Sequence, residues 1–333
     1  MIMNNMFYKF FILSNLINFS FMPLFIQNLL MIWFMMEINN FLFICYLCFK
    51  FNNKKLIFMY YIIQIIASLF MIFSLIFNNF FMINMNFLLI NFYLSMMIKL
   101  GIPPFHLWMP MMSHHMNWNI IFIFLSIQKI IPFYLMSTIN IIQPLIFYYL
   151  ILSSTYISTF KMINLLNIKM LLIYSSINQT GWMLFLILLK NMFWLFYLII
   201  YSLILWIILF LFSLSKFSMI FFMNKNIPTK FNLFNMMMIF NLASLPPLSF
   251  FFMKWMNIYI SMFNTNLFLI FILLMINSLI MIYIYINMMI ISMFFYLIKL
   301  KFFHYPIMLL NKNYLFIILL FLKINMSMFI FLI

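Results

Sequence analysis

The sequence predicts an all-α integral membrane protein with about eleven transmembrane helices. Three observations favour this class: the composition, the recurrence of apolar runs of membrane-spanning length, and the one-sided distribution of lysines. Of the 333 residues, 69% are hydrophobic and 5% are charged, whereas a soluble domain carries roughly 25% charged residues. The outer surface must therefore face lipid or apolar protein.

Polar clusters and prolines divide the chain into eleven candidate helices. Their approximate limits are 8–24, 27–49, 57–77, 85–111, 119–138, 144–163, 169–189, 192–213, 233–258, 266–289 and 313–332. Most are close to the roughly 20 residues that cross a hydrocarbon core. We interpret residues 1–333 as one polytopic membrane domain. Its approximate half-repeats are 27–163 and 169–289, and 290–333 forms a loop and a C-terminal helix.

Residue usage indicates an organellar gene. Valine and arginine are absent, and the chain contains 38 methionines and 50 phenylalanines. Nothing about lipid excludes valine, so we attribute this usage to AT-rich codons, with ATA read as methionine as in mitochondria. We therefore expect a multi-pass protein of the mitochondrial inner membrane, and we assign little functional meaning to aromatic or methionine stripes.

The lysines test the number of spans independently. If successive spans alternate in direction, twelve lysines fall on one side of the membrane: Lys9, Lys50, Lys54, Lys55, Lys161, Lys169, Lys216, Lys225, Lys230, Lys299, Lys301 and Lys312. The opposite side receives only Lys190. The positive-inside rule predicts such a bias for a correct count, which places the N-terminus in the matrix and the C-terminus in the intermembrane space. The net charge is +16, but the lysines form no basic face with interleaved aromatic residues, so we do not expect nucleic-acid binding.

Ionisable side chains also occur within the spans. They are Glu37, Lys99, Lys129, Lys254 and Lys323. A charge at bilayer depth costs several kcal/mol, and such residues commonly serve function. The alternative is that a long lysine extends its amine to the interface, and we favour this interpretation for Lys323. For Glu37, Lys99, Lys129 and Lys254 we favour a role in proton translocation.

Two proline pairs interrupt helices close to these lysines. The helix-breaking residues are Gly101, Pro103, Pro104, Pro246 and Pro247. Lys99 directly precedes the first break, and Lys254 follows the second. Proline removes a backbone donor and clashes with the preceding turn, and broken helices in transporters expose backbone groups to an ion or water. One such helix in each half of the chain predicts two inverted repeats.

Lysine is a suitable proton carrier at such a place. Desolvation favours the neutral form of an amine, and a nearby carboxylate favours its charged form. If Glu37 pairs with Lys99, moving the acid away would help to expel the proton of the lysine. Lys129 lies on the next predicted helix and is a candidate for the next station.

Five segments of the chain resemble the subunit 2 family of mitochondrial NADH–ubiquinone oxidoreductase (respiratory complex I), which is related to cation/proton antiporter subunits. They are WFMMEINN at 33–40, KLGIPPFHLWMP at 99–110, QKIIP at 128–132, YSSINQTGWM at 174–183 and LPPLSFFFMKW at 245–255. The resemblance implies that Glu37, Lys99, Lys129 and Lys254 belong to a chain of buried charges along the membrane midplane. It also implies two inverted repeats with a discontinuous helix in each.

The resemblance further implies a proton-translocating core subunit whose partners are the other membrane-arm subunits and the lipid bilayer. NADH, FMN, iron–sulfur clusters and ubiquinone are expected on other subunits, so this chain takes part in an NADH:ubiquinone reductase without an electron-transfer site of its own. Several positions depart from the family pattern. Gln179 replaces a histidine, Met111 replaces an acid, and Ala243, Ser244 and Phe250 replace glycines at the second break.

Two rival functions remain open, a stand-alone cation/proton antiporter and a non-pumping structural membrane subunit. We predict no catalytic, cofactor-binding or metal-binding residues. Cys45 and Cys48 lie in an apolar span without the further ligands that a zinc site requires. His114 and His115 are adjacent in the sequence, and adjacent side chains point apart on regular structure, so we do not expect them to form a metal pair.

The remaining polar residues near the breaks have open roles. His106 follows the first break and is either a proton relay or a donor to a freed carbonyl. Ser175, Ser176 and Asn178 host a water chain or, as we favour, join neighbouring helices.

Overall fold

A computed structural model describes residues 2–50, 53–80, 85–138, 143–190, 192–214, 237–246, 248–262 and 267–302. These residues form α-helices, short turns and one 3₁₀ helix, and no strand occurs among them. The prediction of an all-α class is therefore confirmed. The helices are α1 Ile2–Phe21, the 3₁₀ helix Met22–Phe25, α2 Leu29–Lys50, α3 Lys54–Phe80, α4 Met85–Leu100, α5 Trp108–His115, α6 Trp118–Leu125, α7 Ile127–Thr138, α8 Pro144–Met162, α9 Ile168–Leu188, α10 Phe193–Leu214, α11 Ser249–Met262 and α12 Phe268–Phe302.

Six helical spans in the described part of the chain are long and apolar enough to cross a membrane. One of them, Trp118–Thr138, consists of α6 and α7 together. Most predicted limits up to residue 289 that fall on described residues lie within four residues of the observed helix ends, but the first helix begins at Ile2, six residues earlier than predicted. The total of eleven spans stays a prediction. The predicted span 313–332, with Lys323, lies outside the described residues, as does Pro247.

One predicted boundary is wrong. We expected a loop from residue 290, but α12 continues to Phe302. The segment 290–302 contains no glycine or proline, and five of its thirteen residues are leucine, lysine or methionine, which have high helix propensity. The first proline downstream is Pro306, so nothing in the local sequence ends the helix earlier.

The chain divides into two compact units. The first comprises Met1–Ser154 with Gln179–Lys190, and the second comprises Thr155–Asn178 with Asn191–Ile333. Helices α8 and α9 each contribute residues to both units. The half-repeats predicted from the sequence stay a prediction, because a division into compact units does not test internal symmetry.

In the first unit, α7 packs against α1, α2, α4 and the 3₁₀ helix. A cluster of four aromatic rings joins α2, α3, α5 and α6. Its members are Phe43, Tyr60, Trp108 and Phe124. The centroid of Trp108 lies 5.8 Å from that of Tyr60 and 5.6 Å from that of Phe124, and aromatic pairs at this distance stabilise a core beyond their buried area. The cluster thereby fixes α5, which follows the first helix break.

In the second unit, α11 packs against α10 and α12. The contact with α10 includes the rings of Phe250 and Tyr197, whose centroids are 5.3 Å apart. Thr159 of α8 and Asn277 of α12 are both buried, and their side-chain oxygens lie 3.3 Å apart in a hydrogen bond from the threonine hydroxyl. The second unit therefore buries polar groups between its helices in addition to apolar ones.

Candidate functional site

The single acid of the chain pairs with a lysine inside the first unit. The Lys99 amine donates a hydrogen bond of 2.7 Å to the Glu37 carboxylate, which joins α4 to α2. The side chain of Lys99 is 2% exposed and that of Glu37 is 27% exposed. A buried amine is stabilised in its charged form by such a partner, and Lys99 also lies in the last turn of α4, where the helix dipole favours a cation. The sequence suggested a pairing of Glu37 with Lys99 as a hypothesis, and the structure contains this pair.

The first break closes α4 with a Schellman motif. Gly101 donates from its backbone N–H to the carbonyl of Ile98, and Ile102 donates to that of Met97. This is the 5→2 and 6→1 pattern that satisfies the last carbonyls of a helix. It requires a left-handed residue after the helix, and Gly101 has φ +63°. Residues 101–107 then form turns before α5 begins at Trp108.

Replacing Gly101 with alanine is expected to destabilise the protein by about 1–3 kcal/mol, since an L-residue in the left-handed region is strained. A Cβ at this position would also overlap the side chain of Met109. Thermal unfolding of Gly101→Ala and of Gly101→Ala/Met109→Ala measures the two effects. Because Met109→Ala by itself removes a buried side chain, the double variant is compared with Met109→Ala alone. In that background Gly101→Ala should cost less than in the parent chain, since the overlap is relieved and only the backbone strain remains. Full wild-type stability in the single variant would contradict this account.

Lys129 is buried in α7 next to a second irregularity of the backbone. Its side chain is 4% exposed. Ser126 separates α6 from α7, and its hydroxyl donates to the carbonyl of Phe122 at 2.6 Å. Pro132 lies inside α7 and has no N–H to donate to the carbonyl of Gln128. Because α7 packs against both α2 and α4, the three helices that carry Glu37, Lys99 and Lys129 form one group.

The second break repeats the backbone pattern of the first. Ser244 donates to the carbonyl of Asn241 and Leu245 to that of Phe240, which is again a Schellman motif. Ser244, at φ +60°, stands two residues before its proline pair as Gly101 does. A turn bond follows in each break, from Phe105 to Ile102 and from Leu248 to Leu245. Ser244 therefore adopts the backbone conformation that Gly101 adopts at the first break.

Ser244 also contacts the lysine of the second unit. The Lys254 amine, on a side chain that is 5% exposed, donates to the Ser244 hydroxyl at 2.7 Å. That hydroxyl in turn donates to the carbonyl of Ala243 at 2.5 Å. The amine is thus hydrogen-bonded to the interruption itself, through a side chain that a glycine could not supply.

Asn241 is a contributor that the sequence analysis missed. Its side-chain oxygen accepts the backbone N–H of Phe250 at 3.1 Å, and its amide nitrogen donates to the Ser249 hydroxyl at 3.1 Å. The first turn of α11 has free N–H groups that need such an acceptor. The side chain therefore bridges the break and caps α11 from the preceding helical segment, 237–242. A polar residue four to six positions before a proline pair was the available signal.

The other residues singled out from the sequence occupy several environments. His106 is buried in the turns of the first break, and its role stays a prediction. Ser175 and Ser176 are buried in α9 of the second unit, near Tyr285 and Tyr201 respectively. Cys45 is half-buried and Cys48 is exposed. Within the described residues, no three histidine, cysteine or acidic side chains cluster to hold a metal ion.

Helices long enough to span a membrane, two Schellman-closed interruptions and buried lysines beside them define a multi-span membrane protein of the broken-helix type. Comparison with known proteins gives the family. NADH-ubiquinone oxidoreductase chain 2 of Rhipicephalus sanguineus is 33% identical over 250 residues, which is 74% of this chain and 78% of the relative. This chain belongs to the NADH-ubiquinone oxidoreductase chain 2 family.

Other relatives of the same name match over a shorter range. The protein of Apis mellifera ligustica is 33% identical over 170 residues, covering 50% of this chain and 51% of the relative. That of Aedes aegypti is 34% identical over 181 residues, covering 53% and 52%. In these matches the chain spans about half the length of the curated relatives. No protein-family model matches the chain.

Two solved structures show the same fold. A chain of respiratory complex I from Thermus thermophilus with bound aureothin superposes with a TM-score of 0.72 at 16% identity, covering 82% of this chain and 68% of that one. A chain of the membrane-bound sulfane sulfur reductase, an archaeal respiratory membrane complex, gives a TM-score of 0.63 at 13% identity, covering 77% and 60%. At these identities the similarity establishes the fold alone.

Proposed function

We propose that this chain is a proton-translocating, antiporter-like core subunit of respiratory complex I in the mitochondrial inner membrane. The observation that carries the proposal is the ion pair between the buried Lys99, at the end of an interrupted membrane helix, and the partly exposed Glu37. Membership of the chain 2 family supports the assignment to complex I. The other membrane-arm subunits and the bilayer are the expected partners.

The chemistry of the proposed site is proton transfer between amines in a desolvated setting. Lys99 keeps a proton while Glu37 is at hydrogen-bond distance, because the carboxylate stabilises the ammonium form. A movement that separates the pair would favour release of that proton. Lys129, on a helix packed against both partners, and Lys254, bonded to Ser244, are the further amines that we assign to translocation.

We place electron transfer on other subunits, with NADH, FMN, iron–sulfur clusters and ubiquinone bound there. The chain is then part of an NADH:ubiquinone reductase whose driving force arrives through neighbouring subunits. We also propose that the N-terminus faces the matrix and the C-terminus the intermembrane space, since twelve lysines fall on the N-terminal side in the predicted topology.

We further propose that the two broken helices belong to inverted repeats. The identical backbone bonding around Gly101 and Ser244 supports this assignment, as does the position of each residue relative to its proline pair. Equivalent interruptions in two halves of a chain are characteristic of transporters built from repeats.

Substitution of Lys129 by methionine, Lys129→Met, tests the function. The rate of NADH-driven proton translocation, measured in sealed vesicles with the intact assembly, should fall about tenfold, which is about 1.4 kcal/mol on the barrier to transfer. Lys161→Met is the matched control, because Lys161 is exposed at the end of α8, and it should pump normally.

Two outcomes would favour the rival functions. Unchanged pumping in Lys129→Met, Lys99→Met and Lys254→Met would favour a structural subunit. Failure of the chain to purify with an NADH-oxidising assembly, together with cation/proton exchange in the absence of NADH, would favour a stand-alone antiporter.

A further inference from the structure

An open groove of about 620 Å³ lies between α2 and α3 in the first unit. Apolar side chains and one cysteine form its walls, and two lysines complete its lining. The wall residues are Phe41, Ile44, Cys48, Ile57, Phe58 and Tyr61, and the lysines are Lys54 and Lys55. Phe41 is 64% exposed and Phe58 is 62% exposed, so this apolar surface is not covered by the rest of the first unit.

The lysines define one end of the groove. They lie in the first turn of α3, close to the end of α2 that carries Cys48. Phe41 lies seven residues before Cys48, and Tyr61 lies seven residues after Lys54. At 1.5 Å per residue, the apolar walls therefore extend about 10 Å along each helix away from the lysines. The groove thus has a basic end and apolar walls along the rest of its length.

Among the residues that the structure describes, no acidic side chain balances the positive charge at this end. The chain contains a single acidic residue, Glu37, whose carboxylate is bonded to Lys99. No other side chain can therefore supply a carboxylate to Lys54 or Lys55. The helix dipole adds to the imbalance, because its positive end lies in the first turn, where cations are disfavoured and anions are favoured.

We propose that the groove binds an anionic phospholipid, with the phosphate held by Lys54 and Lys55 and an acyl chain lying against Phe41, Ile44 and Phe58. Basic pockets between membrane helices suit such headgroups. The apolar walls select a lipid over free phosphate, since inorganic phosphate would leave them uncovered. This inference depends on the membrane fold and not on proton translocation.

Cys48 provides a probe inside the groove. In a Cys45→Ser background, the rate at which N-ethylmaleimide alkylates Cys48 can be followed by mass spectrometry of the intact chain within its native assembly. The assembly is placed in phosphatidylcholine vesicles containing increasing amounts of phosphatidylglycerol with the same acyl chains. Phosphatidylglycerol should slow alkylation in a saturable way, and phosphatidylcholine alone should not.

Charge removal sharpens the test. The double variant Lys54→Gln/Lys55→Gln should bind phosphatidylglycerol about thirtyfold more weakly, from the attraction that two lysines exert on an anionic lipid. Lys161→Gln removes an exposed lysine outside the groove. In this variant phosphatidylglycerol should protect Cys48 from alkylation as it does in the parent chain. The titration of the parent chain needs no charge variant, so the proposal remains testable if the double variant fails to assemble.

Four results would each overturn the proposal. Phosphatidylcholine alone could protect Cys48 as well as phosphatidylglycerol does, or inorganic phosphate could protect it equally. Lys161→Gln could lose protection as completely as the double variant. Finally, Cys48 could be unreactive at every lipid composition, which would show that a neighbouring polypeptide covers the groove.

Discussion

Glu37→Gln is expected to reduce the rate of NADH-driven proton translocation by about tenfold or more. A tenfold change in rate corresponds to about 1.4 kcal/mol on the barrier to proton transfer. Glutamine keeps the size of the side chain but removes the charge that retains the proton on Lys99, which is bonded at 2.7 Å. Assembly should remain largely intact, because an amine without a counterion can release its proton and stay buried in neutral form.

Glu37→Asp is the matched control for charge and distance. It retains the carboxylate but shortens the side chain by one methylene, so the contact with Lys99 lengthens while the net charge is unchanged. Intermediate pumping in Glu37→Asp, with blue-native electrophoresis showing normal assembly of both variants, is the expected pattern. Normal pumping in Glu37→Gln would dismiss the ion pair as a functional element.

Lys254→Met is expected to have a comparable effect in the second unit, about tenfold or more on the rate of NADH-driven proton translocation, because it removes the amine that is bonded to the second break. Methionine fills a similar volume, so the loss should not arise from a cavity. The measurement is again the rate of NADH-driven proton uptake by sealed vesicles, normalised to the amount of assembled complex. Unchanged uptake, with normal assembly, would assign Lys254 a structural role.

Two substitutions of Ser244 separate the hydroxyl from the backbone conformation. Ser244→Ala keeps the strained φ of +60° but removes the oxygen that contacts Lys254. Ser244→Gly removes the same oxygen and relieves the strain, so it should be more stable than alanine by about 1 kcal/mol. If the hydroxyl matters for transfer, both variants should lose flux equally despite their different stability. Recovery of flux in the glycine variant alone would point to strain instead.

Much of this fold could be predicted from the sequence, because membrane helices are recognised by their apolar composition and their length. The limits of α2, α8, α9 and α10 follow from polar clusters and charged ends. The continuation of α12 to Phe302 could not be predicted from hydropathy, since helix propensity and membrane depth are separate properties. The last ten or so residues of α12 are helical without being uniformly apolar.

The candidate site was predictable in its residue types and only partly in its contacts. A lone acid and a lysine before a proline pair indicated the pairing of Glu37 with Lys99. The contact between Lys254 and Ser244 could not be predicted, because no sequence pattern indicates that the Ser244 hydroxyl accepts a hydrogen bond from a lysine ten residues later. The capping of α11 by Asn241 likewise depends on how the chain turns between two helical segments, which no local pattern specifies.

The bonding at the two interruptions bears on how force passes through the membrane region. Each break is closed by two Schellman hydrogen bonds and one turn hydrogen bond. The net contribution of a protein hydrogen bond to stability is about 1 kcal/mol. Bending the chain at a break would therefore disrupt up to three such bonds at once, so each break is rigid and is unsuited to act as a hinge. A mechanical signal reaching either half-helix would be passed on to the other half, and the parts left to respond are the long, rotatable amines beside the break.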